Sequence, residues 1–242
     1  MRIFLAGASG AIGRRLTLFL LVAGHQVTGT TRSADKAAAL KARGVEPVVV
    51  DAFDRAAVRA AVVGARPDVV IHQLTDLPQV LDPAGLGDAL VRNARLRIEG
   101  TANLVAAARA AGSRRLIAQS IAFAYANGPE PHAEADALAA GEGDTPSAVS
   151  VRGVRAMEEA VMNATGVVGV VLRYGRLYGP GTWNTPNVRA PLHVDAAAQA
   201  ARLAVTRGAP GIYNIAEDDG AVSVEKARSE LGFDPAFRLA VD

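Results

Sequence analysis

The feature that most constrains the fold of this chain is a glycine-rich turn close to its first residue. Residues 3–13 read IFLAGASGAIG, so an apolar strand runs directly into Gly7, Gly10 and Gly13. A phosphate group must lie almost against the backbone of such a turn, and a Cβ atom at these positions would hold it off. The helix that follows offers unpaired N–H groups and the positive end of its dipole. This strand–turn–helix context predicts a nucleotide site, although glycines also occur in purely structural turns.

Segments of strand and helix character alternate along the chain. Strands are predicted at residues 3–6, 26–30, 47–50, 69–73, 116–120, 167–173 and 212–215. Several of these are continuous Val/Ile/Leu runs, as expected for strands buried on both faces of a parallel sheet. Helices are predicted at 12–23, after a cap at Asp54, at 88–111 and along the stripe 151–161. The alternation predicts an α/β fold, a Rossmann-type doubly wound parallel sheet.

Two segments interrupt this alternation. Residues 127–147 are rich in Gly, Pro, Ala and acidic residues, and they follow the carboxyl end of a strand, where ligands bind in such sheets. This segment is either a solvated loop or a lid over a substrate. Residues 179–191 form a second connection that is rich in Pro and Gly.

Composition excludes several classes of protein. The 242 residues, 50% of them hydrophobic, suffice for one sizeable core, and the chain contains no cysteine for disulfides or thiol chemistry. The four histidines lack the spacing of metal ligands. The net charge is only +2 without a basic block, which argues against nucleic acid as a partner. The longest apolar stretch, 16–24, is too short to span a membrane and there is no signal peptide pattern, so we expect a cytoplasmic protein.

Six motifs in this order carry a family resemblance. They are GASGAIG at 7–13, PDVVIHQL at 67–74, GTANLVAAARAAGSRRLIAQS at 100–120, VVLRYGRLYGPGT at 170–182, HVD at 193–195 and SVEKARSELGFDP at 223–235. The chain therefore resembles an extended short-chain dehydrogenase/reductase of the NAD-dependent epimerase/dehydratase type. The resemblance implies a nicotinamide cofactor on the glycine turn, in contact with Gly7, Ser9, Gly10, Ala11, Ile12 and Gly13.

The residues after the second strand indicate which nicotinamide cofactor binds. An NAD site usually has an acidic residue there for the ribose 2′-hydroxyl, but this chain has Thr31, Arg32 and Ser33. A planar cation beside a hydroxyl suits a 2′-phosphate, so we expect NADP rather than NAD. Arg32 could otherwise be an ordinary exposed loop arginine.

Further cofactor contacts follow from the resemblance. Asp51, followed by Ala52, matches the family acid that binds the adenine amino group, although it could also be a turn or helix-cap aspartate. The resemblance places Gln73, Leu74 and Thr75 beside the ribose, and Arg173 and Tyr174 near the nicotinamide. His72 within the preceding strand is expected to be a core histidine with satisfied hydrogen bonds.

The catalytic residues of the family are missing. The family uses a Tyr-x-x-x-Lys pair, in which the tyrosine exchanges a proton with the substrate oxygen. In this chain Ser150 and Val154, or Val151 and Arg155 in a register shifted by one, occupy those positions. Ile121 stands where a catalytic Ser or Thr is usual. The chain thus resembles the atypical branch of the superfamily.

Substitutes for the missing pair are available nearby. We select Ser120, which could bind a substrate carbonyl, and Tyr125, which could act as an acid, as catalytic candidates. A tyrosine at a strand end is otherwise a packing residue. Arg155, Arg173 and Arg176 could stabilise an oxyanion or hold a substrate acid.

The expected function is hydride transfer between NADP and a carbonyl or alcohol of a small molecule. A redox-neutral epimerase or dehydratase with tightly bound cofactor, or a non-catalytic NADP-binding sensor or scaffold, are the alternatives. We expect residues 1–165 to form the cofactor core. Residues 166–242 should supply the remaining strands and a reduced substrate lobe of the same domain. The segments 183–192 and 216–222 are short either because the substrate side is small and open or because the sequence omits flexible segments of a longer protein. The resemblance also implies a homodimer through residues 88–111 and 150–163.

Overall fold

Seven parallel strands form the central sheet of the computed structural model, which describes residues 1–78 and 83–239. The strands of the described chain are β1 (Arg2–Ala6), β2 (Gln26–Thr31), β3 (Glu46–Val49), β4 (Val69–His72), β5 (Arg115–Ile121), β6 (Val168–Tyr174), β7 (Arg176–Tyr178), β8 (Pro191–His193) and β9 (Gly211–Ile215). The sheet has the order β3-β2-β1-β4-β5-β6-β9, and every neighbouring pair in it is parallel. This is the strand order of a doubly wound nucleotide-binding sheet, extended by β9.

The seven predicted strands are confirmed, because each is found within one residue of its expected ends. Two short strands were not expected. β7 and β8 pair with each other in a separate two-stranded sheet. Each is only three residues long, so neither shows the apolar alternation by which strands are recognised.

Helices connect the strands and cover both faces of the sheet. In the described chain they are α1 (Ala11–Val22), α2 (Ala34–Ala42), α3 (Arg55–Ala65), α4 (Leu86–Arg95), α5 (Thr101–Ala110), α6 (Pro146–Met162) and α7 (Val194–Ala204). As expected, Asp54 caps α3, and its carboxylate accepts a hydrogen bond from the N–H of Ala57 at 3.0 Å. The long helix expected at 88–111 is α4, a π-helical segment at Leu96–Gly100 and α5. The segment at 127–147 is irregular only as far as Thr145, because α6 begins at Pro146.

The core has two layers because successive strand residues point to opposite faces of the sheet. Leu5 and Ile71 pack with Leu16 of α1, in the layer that also contains α2 and α7. Phe4 and Val70 belong to the layer of α3, α5 and α6. Burial on both faces explains why the strands read as apolar runs rather than as alternating patterns.

The parallel arrangement brings every candidate site residue to one edge of the sheet. The glycine turn follows β1, Arg32 follows β2, Asp51 follows β3, Gln73 follows β4, and Tyr125 follows β5. Ligands bind at this carboxyl edge in open parallel sheets.

Within the two described ranges, no helix has the length and apolar character required to cross a membrane.

Candidate functional site

The glycine turn has the geometry of a close backbone approach. Gly7 has φ +91°, and a Cβ atom there would lie 2.7 Å from the carbonyl oxygen of Gln73. A Cβ atom on Gly13 would lie 2.1 Å from the Gly7 carbonyl oxygen, so only glycine lets α1 pack against the turn. A Cβ atom on Gly10 would meet only the Gly7 carbonyl oxygen, at 3.4 Å, so the outer side of Gly10 is open. α1 has neither a side-chain cap nor an acidic residue in its first turn. The turn therefore fits a pyrophosphate against the helix N-terminus.

The end of β2 is tied to this turn by short polar side chains. The Ser9 hydroxyl donates a hydrogen bond to the Thr31 hydroxyl oxygen at 3.2 Å, and the same oxygen accepts from the Ser33 N–H at 3.2 Å. Ser33 also caps α2, where its hydroxyl oxygen accepts from the Lys36 N–H at 3.4 Å. These bonds fix the backbone from which Arg32 projects.

Arg32 follows β2 directly, and its side chain reaches the segment after β4. Its Nη2 atom donates to the Asp76 carboxylate at 3.1 Å, and its side chain is 66% exposed. Asp76 also lies 3.7 Å from Nε of Arg92. Asp76 was not expected, because sequence alone does not reveal a contact that joins residues 44 positions apart. The guanidinium is accessible to a phosphate, but Asp76 competes for it.

The residues after β3 keep both interpretations of Asp51 open. Asp51 is exposed at the same edge as the glycine turn. One of its carboxylate oxygens accepts a hydrogen bond from the Phe53 N–H at 3.0 Å, as in an aspartate turn. Ala52 is held by its carbonyl oxygen, which accepts from the Asn103 side chain at 2.9 Å.

Gln73 links the ends of β4 and β6 inside the protein. Its amide donates to the Tyr174 hydroxyl at 3.2 Å, and its side-chain oxygen is the one buried polar side-chain atom without a partner among the described residues. A buried acceptor that lacks a donor is costly unless a ligand supplies one. Burial raises the pKa of Tyr174, so its hydroxyl stays neutral. Leu74 is half-buried and Thr75 is exposed beside them.

His72 is a core histidine, as expected. Its ring nitrogens contact the Thr101 hydroxyl at 3.0 Å and the Leu74 N–H at 3.2 Å. Burial lowers the pKa of His72 to about 4, so the ring is neutral near pH 7.

A buried polar network joins the two catalytic candidates. The Ser120 hydroxyl donates to Glu158 at 2.6 Å, and Arg173 donates to the same carboxylate at 2.9 and 2.7 Å. Arg173 also donates to the Tyr125 hydroxyl at 2.8 Å, which in turn donates to Asn214 at 2.6 Å. Burial alone would lower the pKa of Arg173, but its hydrogen bonds to Glu158 raise that pKa overall. Burial raises the pKa of Tyr125.

This network occupies both candidate hydroxyls. Ser120 is completely buried, whereas Tyr125 also lines a cavity. The catalytic roles of Ser120 and Tyr125 stay predictions, and the contacts found here are those of residues that hold the ends of β5, β6 and β9 together. Arg173 is likewise engaged in an interior ion pair with Glu158 rather than exposed to a cofactor.

A serine of α6 has an arginine partner that the sequence did not reveal. Ser150, which the resemblance aligns with the family tyrosine, accepts a hydrogen bond from Nη1 of Arg97 at 3.1 Å. Arg97 is only 9% exposed, and burial lowers its pKa to about 10, so it remains a cation near pH 7. It lies in the π-helical segment, whose wider turn changes the helix register. Extrapolation of the regular helical period therefore could not identify it.

A cavity of about 260 Å³ opens beyond the carboxyl ends of β5 and β6. It is lined by Ala122, Phe123, Tyr125, Ala126, Asn127, Gly128, Glu130, His132, Arg176, Arg189, Ala190, Ala221 and Val222. Part of the wall is the irregular segment that begins at residue 127. His132 of that segment stacks on Tyr125 with ring centres 4.8 Å apart, and Arg155 of α6 donates to the carbonyl oxygens of Leu138 and Ala139. The segment is therefore anchored beside the cavity.

Comparison with known proteins places the chain in a family. A profile of the NAD dependent epimerase/dehydratase family matches residues 3–190. The chain is 41% identical over 246 aligned residues to a 3-diazoavenalumate denitrifying reductase of Streptomyces sp, and the alignment covers 93% of this chain and 79% of that protein.

Solved structures give the same fold. UDP-glucose 4-epimerase of Thermotoga maritima with UDP-glucose superposes with a TM-score of 0.79 at 17% identity, over 98% of this chain and 94% of that one. UDP-glucose 4-epimerase of Thermus thermophilus in complex with NAD has a TM-score of 0.73 at 24% identity, over 97% and 85% of the two chains. Sheet order, glycine turn and profile match agree, and this chain belongs to the NAD dependent epimerase/dehydratase family.

Proposed function

We propose that the chain is an NADPH-dependent reductase of a small molecule that works without a tyrosine–lysine pair. The observation that carries this proposal is the combination of a complete glycine turn with Arg32 at the end of β2, where a carboxylate is absent. When bound, the reduced nicotinamide supplies a hydride. Residues 1–165 would hold the cofactor, and residues 166–242 would complete the sheet and the substrate side.

The described residues fit that cofactor at three places along the sheet edge. The open side of Gly10 and the uncapped N-terminus of α1 suit the pyrophosphate. The Arg32 guanidinium suits a 2′-phosphate because its planar N–H groups match phosphate oxygens. The unpartnered oxygen of Gln73 suits a hydroxyl or amide donor of the ligand. Asp51 remains the proposed adenine contact.

The missing pair favours a substrate whose reduction needs no proton at an oxygen atom. Carbonyl reduction requires an acid, and the candidates Ser120 and Tyr125 have both hydroxyls engaged in the network with Glu158 and Arg173. The Streptomyces relative is named for the reduction of a diazo compound with loss of nitrogen. In such a reaction a hydride forms a C–H bond as the C–N bond breaks. The electron pair of the C–N bond leaves with dinitrogen. We therefore propose a diazo or similarly activated carbon as the second candidate substrate, beside a carbonyl.

The first test is a fluorescence titration with NADPH and with NADH. Arg32→Ala should weaken NADPH binding by about tenfold to about 150-fold, because a hydrogen bond to a charged group contributes about 1.5–3 kcal/mol. NADH binding should not change. Arg109→Ala, which removes an exposed positive charge at the far end of α5, is the control.

Other outcomes would lead to other functions. Equal binding of both nucleotides by the parent protein and by Arg32→Ala would overturn the NADP preference. Turnover is measured by the absorbance of the reduced nicotinamide. Nucleotide binding without turnover of either substrate class would favour a sensor or scaffold. Substrate conversion without net change in that absorbance would favour a redox-neutral epimerase or dehydratase. Ser120→Ala and Tyr125→Phe test the catalytic candidates. Unchanged turnover in both variants would exclude catalytic roles for Ser120 and Tyr125.

We also propose a homodimer through the helical layer of α4, α5 and α6. Val91 and Ile98 are 44% and 46% exposed on this layer, and a second copy of the chain would cover them. Size-exclusion chromatography with light scattering tests the proposal, and a monomer at micromolar concentration would overturn it.

A further inference from the structure

The cavity beyond β5 contains charges that are not all compensated within the protein. Arg189 forms an ion pair with Glu130, and His132 lies 3.2 Å from the Asp136 carboxylate. Arg176 also lines this cavity, and neither an ion pair nor a side-chain hydrogen bond joins it to another described residue. Its guanidinium is therefore the uncompensated positive charge of the described cavity wall.

The two other arginines considered for a substrate acid are already engaged. Arg173 binds Glu158 in the interior, and Arg155 binds backbone carbonyl oxygens of the neighbouring segment. Of the three, only Arg176 donates no hydrogen bond from its guanidinium to a described residue. A guanidinium presents these donors in a planar fork that matches the two oxygens of a carboxylate.

One aromatic ring lies against this guanidinium, and two others line the same cavity. The Arg176 guanidinium carbon lies 4.2 Å from the centre of the Phe123 ring, and Phe123 is 40% exposed. The stacked rings of Tyr125 and His132 form another part of the wall. Partial burial lowers the pKa of Arg176, although the residue as a whole is exposed to solvent, and no counter-charge of a described residue offsets this effect.

The size of the cavity suits a small ligand. Its volume of about 260 Å³ is close to the lower end of the range of about 300–1,000 Å³ that is usual for ligand pockets, and the cavity is open to solvent. A compound with a single ring fits this volume.

We propose that this cavity binds a small planar aromatic acid, whose carboxylate accepts hydrogen bonds from Arg176 and whose ring packs against Phe123. This inference rests on the proposed function, because it names the class of substrate that the reductase would take. The cavity and the glycine turn lie along the same carboxyl edge of the sheet.

The test compares 4-hydroxybenzoate with 4-hydroxybenzamide, which has nearly the same shape and no charge. Binding to the protein saturated with NADPH is measured by ligand-observed NMR and calorimetry. We expect the acid to bind at least tenfold more tightly than the amide. Arg176→Gln should remove this preference and Arg176→Lys should restore part of it, whereas Arg228→Gln, at a site on another segment where the side chain is 38% exposed, should leave it unchanged. Phe123→Leu should weaken the binding of both compounds.

Three outcomes would overturn the proposal. Equal binding of the acid and the amide would show that the cavity does not recognise a carboxylate. Equal binding of 4-hydroxybenzoate, acetate and phosphate would show that the cavity is a general anion site without preference for an aromatic acid. Absence of binding in a protein that binds NADPH normally would refute the cavity assignment alone. Failure of NADPH binding in the parent protein would instead refute the proposed function, so the two failures can be distinguished.

Discussion

Replacement of Asp76 by asparagine should tighten NADPH binding, because an incoming 2′-phosphate competes with Asp76 for Arg32. Nη2 of Arg32 lies 3.1 Å from one Asp76 oxygen, and Nε of Arg92 lies 3.7 Å from the other. Asp76→Asn keeps the shape of the side chain while it removes the competing charge. NADH has no phosphate at this position, so its binding should not change.

The magnitude follows from the exposure of the pair. The Arg32 side chain is 66% exposed and that of Asp76 is 20% exposed, so water screens most of their attraction. Such pairs contribute about 0.2–1 kcal/mol, which corresponds to about 1.4-fold to about fivefold in a dissociation constant. Loss of repulsion between the carboxylate and the phosphate acts in the same direction. We expect NADPH to bind about twofold to about fivefold more tightly.

The assay is a fluorescence titration of parent and variant with NADPH and NADH, at low and at high salt. Salt should reduce the effect, because it screens interactions between exposed charges. Glu225→Gln is the matched control, since it removes an exposed carboxylate that also lies 3.1 Å from an arginine, Arg228. A variant that binds both nucleotides more tightly, or neither, would refute the assignment of Arg32 to the 2′-phosphate.

Three further predictions concern the fold that supports the site. Glu158→Gln should lower the free energy of unfolding by about 3–5 kcal/mol in urea titrations, because it leaves a buried arginine without its counter-charge; the exposed Glu159→Gln should have little effect. Gly13→Ala should cost about 1–3 kcal/mol or more and weaken nucleotide binding, because the new Cβ atom would lie 2.1 Å from a carbonyl oxygen, whereas Gly64→Ala in α3 meets nothing within 4 Å and should stabilise the helix. Since burial lowers the pKa of His72 to about 4 from 6.5, the unfolded chain binds a proton that the folded chain excludes between these pH values. The free energy of unfolding should fall by about 2 kcal/mol from pH 7 to pH 5, and a His72→Gln variant in the same urea titrations should lose this dependence.

The sheet could be predicted from the sequence because each of its strands is marked independently. β1, β4 and β6 are apolar runs of the length of one strand, and glycines or polar residues bound them. Parallel strands then place their carboxyl ends at a common edge, so the cofactor side of the site follows from the order of the elements. Little tertiary information is required for this part of the structure.

The partners of the polar residues could not be predicted in this way. Ser120 is an ordinary polar interruption of an apolar strand, and only the packing of α6 on β5 reveals that it donates to Glu158. Arg97 is one of several arginines in its helical region, and its burial depends on the π-helical segment. The contact between Arg32 and Asp76 depends on the neighbouring ends of two loops. In each case the deciding distance joins residues far apart in sequence.

The arginines of the site divide by burial into two groups with different consequences. Arg173 and Arg97 are buried and bonded to α6, so they act on the fold. Arg32 and Arg176 are accessible, and they follow β2 and β6, which are separated by four strand spacings in the sheet. At about 4.8 Å for each spacing, the ends of these two strands stand about 19 Å apart along the carboxyl edge. The glycine turn and Gln73 lie between them, which leaves the length of this edge for an extended dinucleotide. Because no contact among the described residues joins Arg32 to Arg176, changes at these two residues should act additively on binding, one through the cofactor and the other through the substrate.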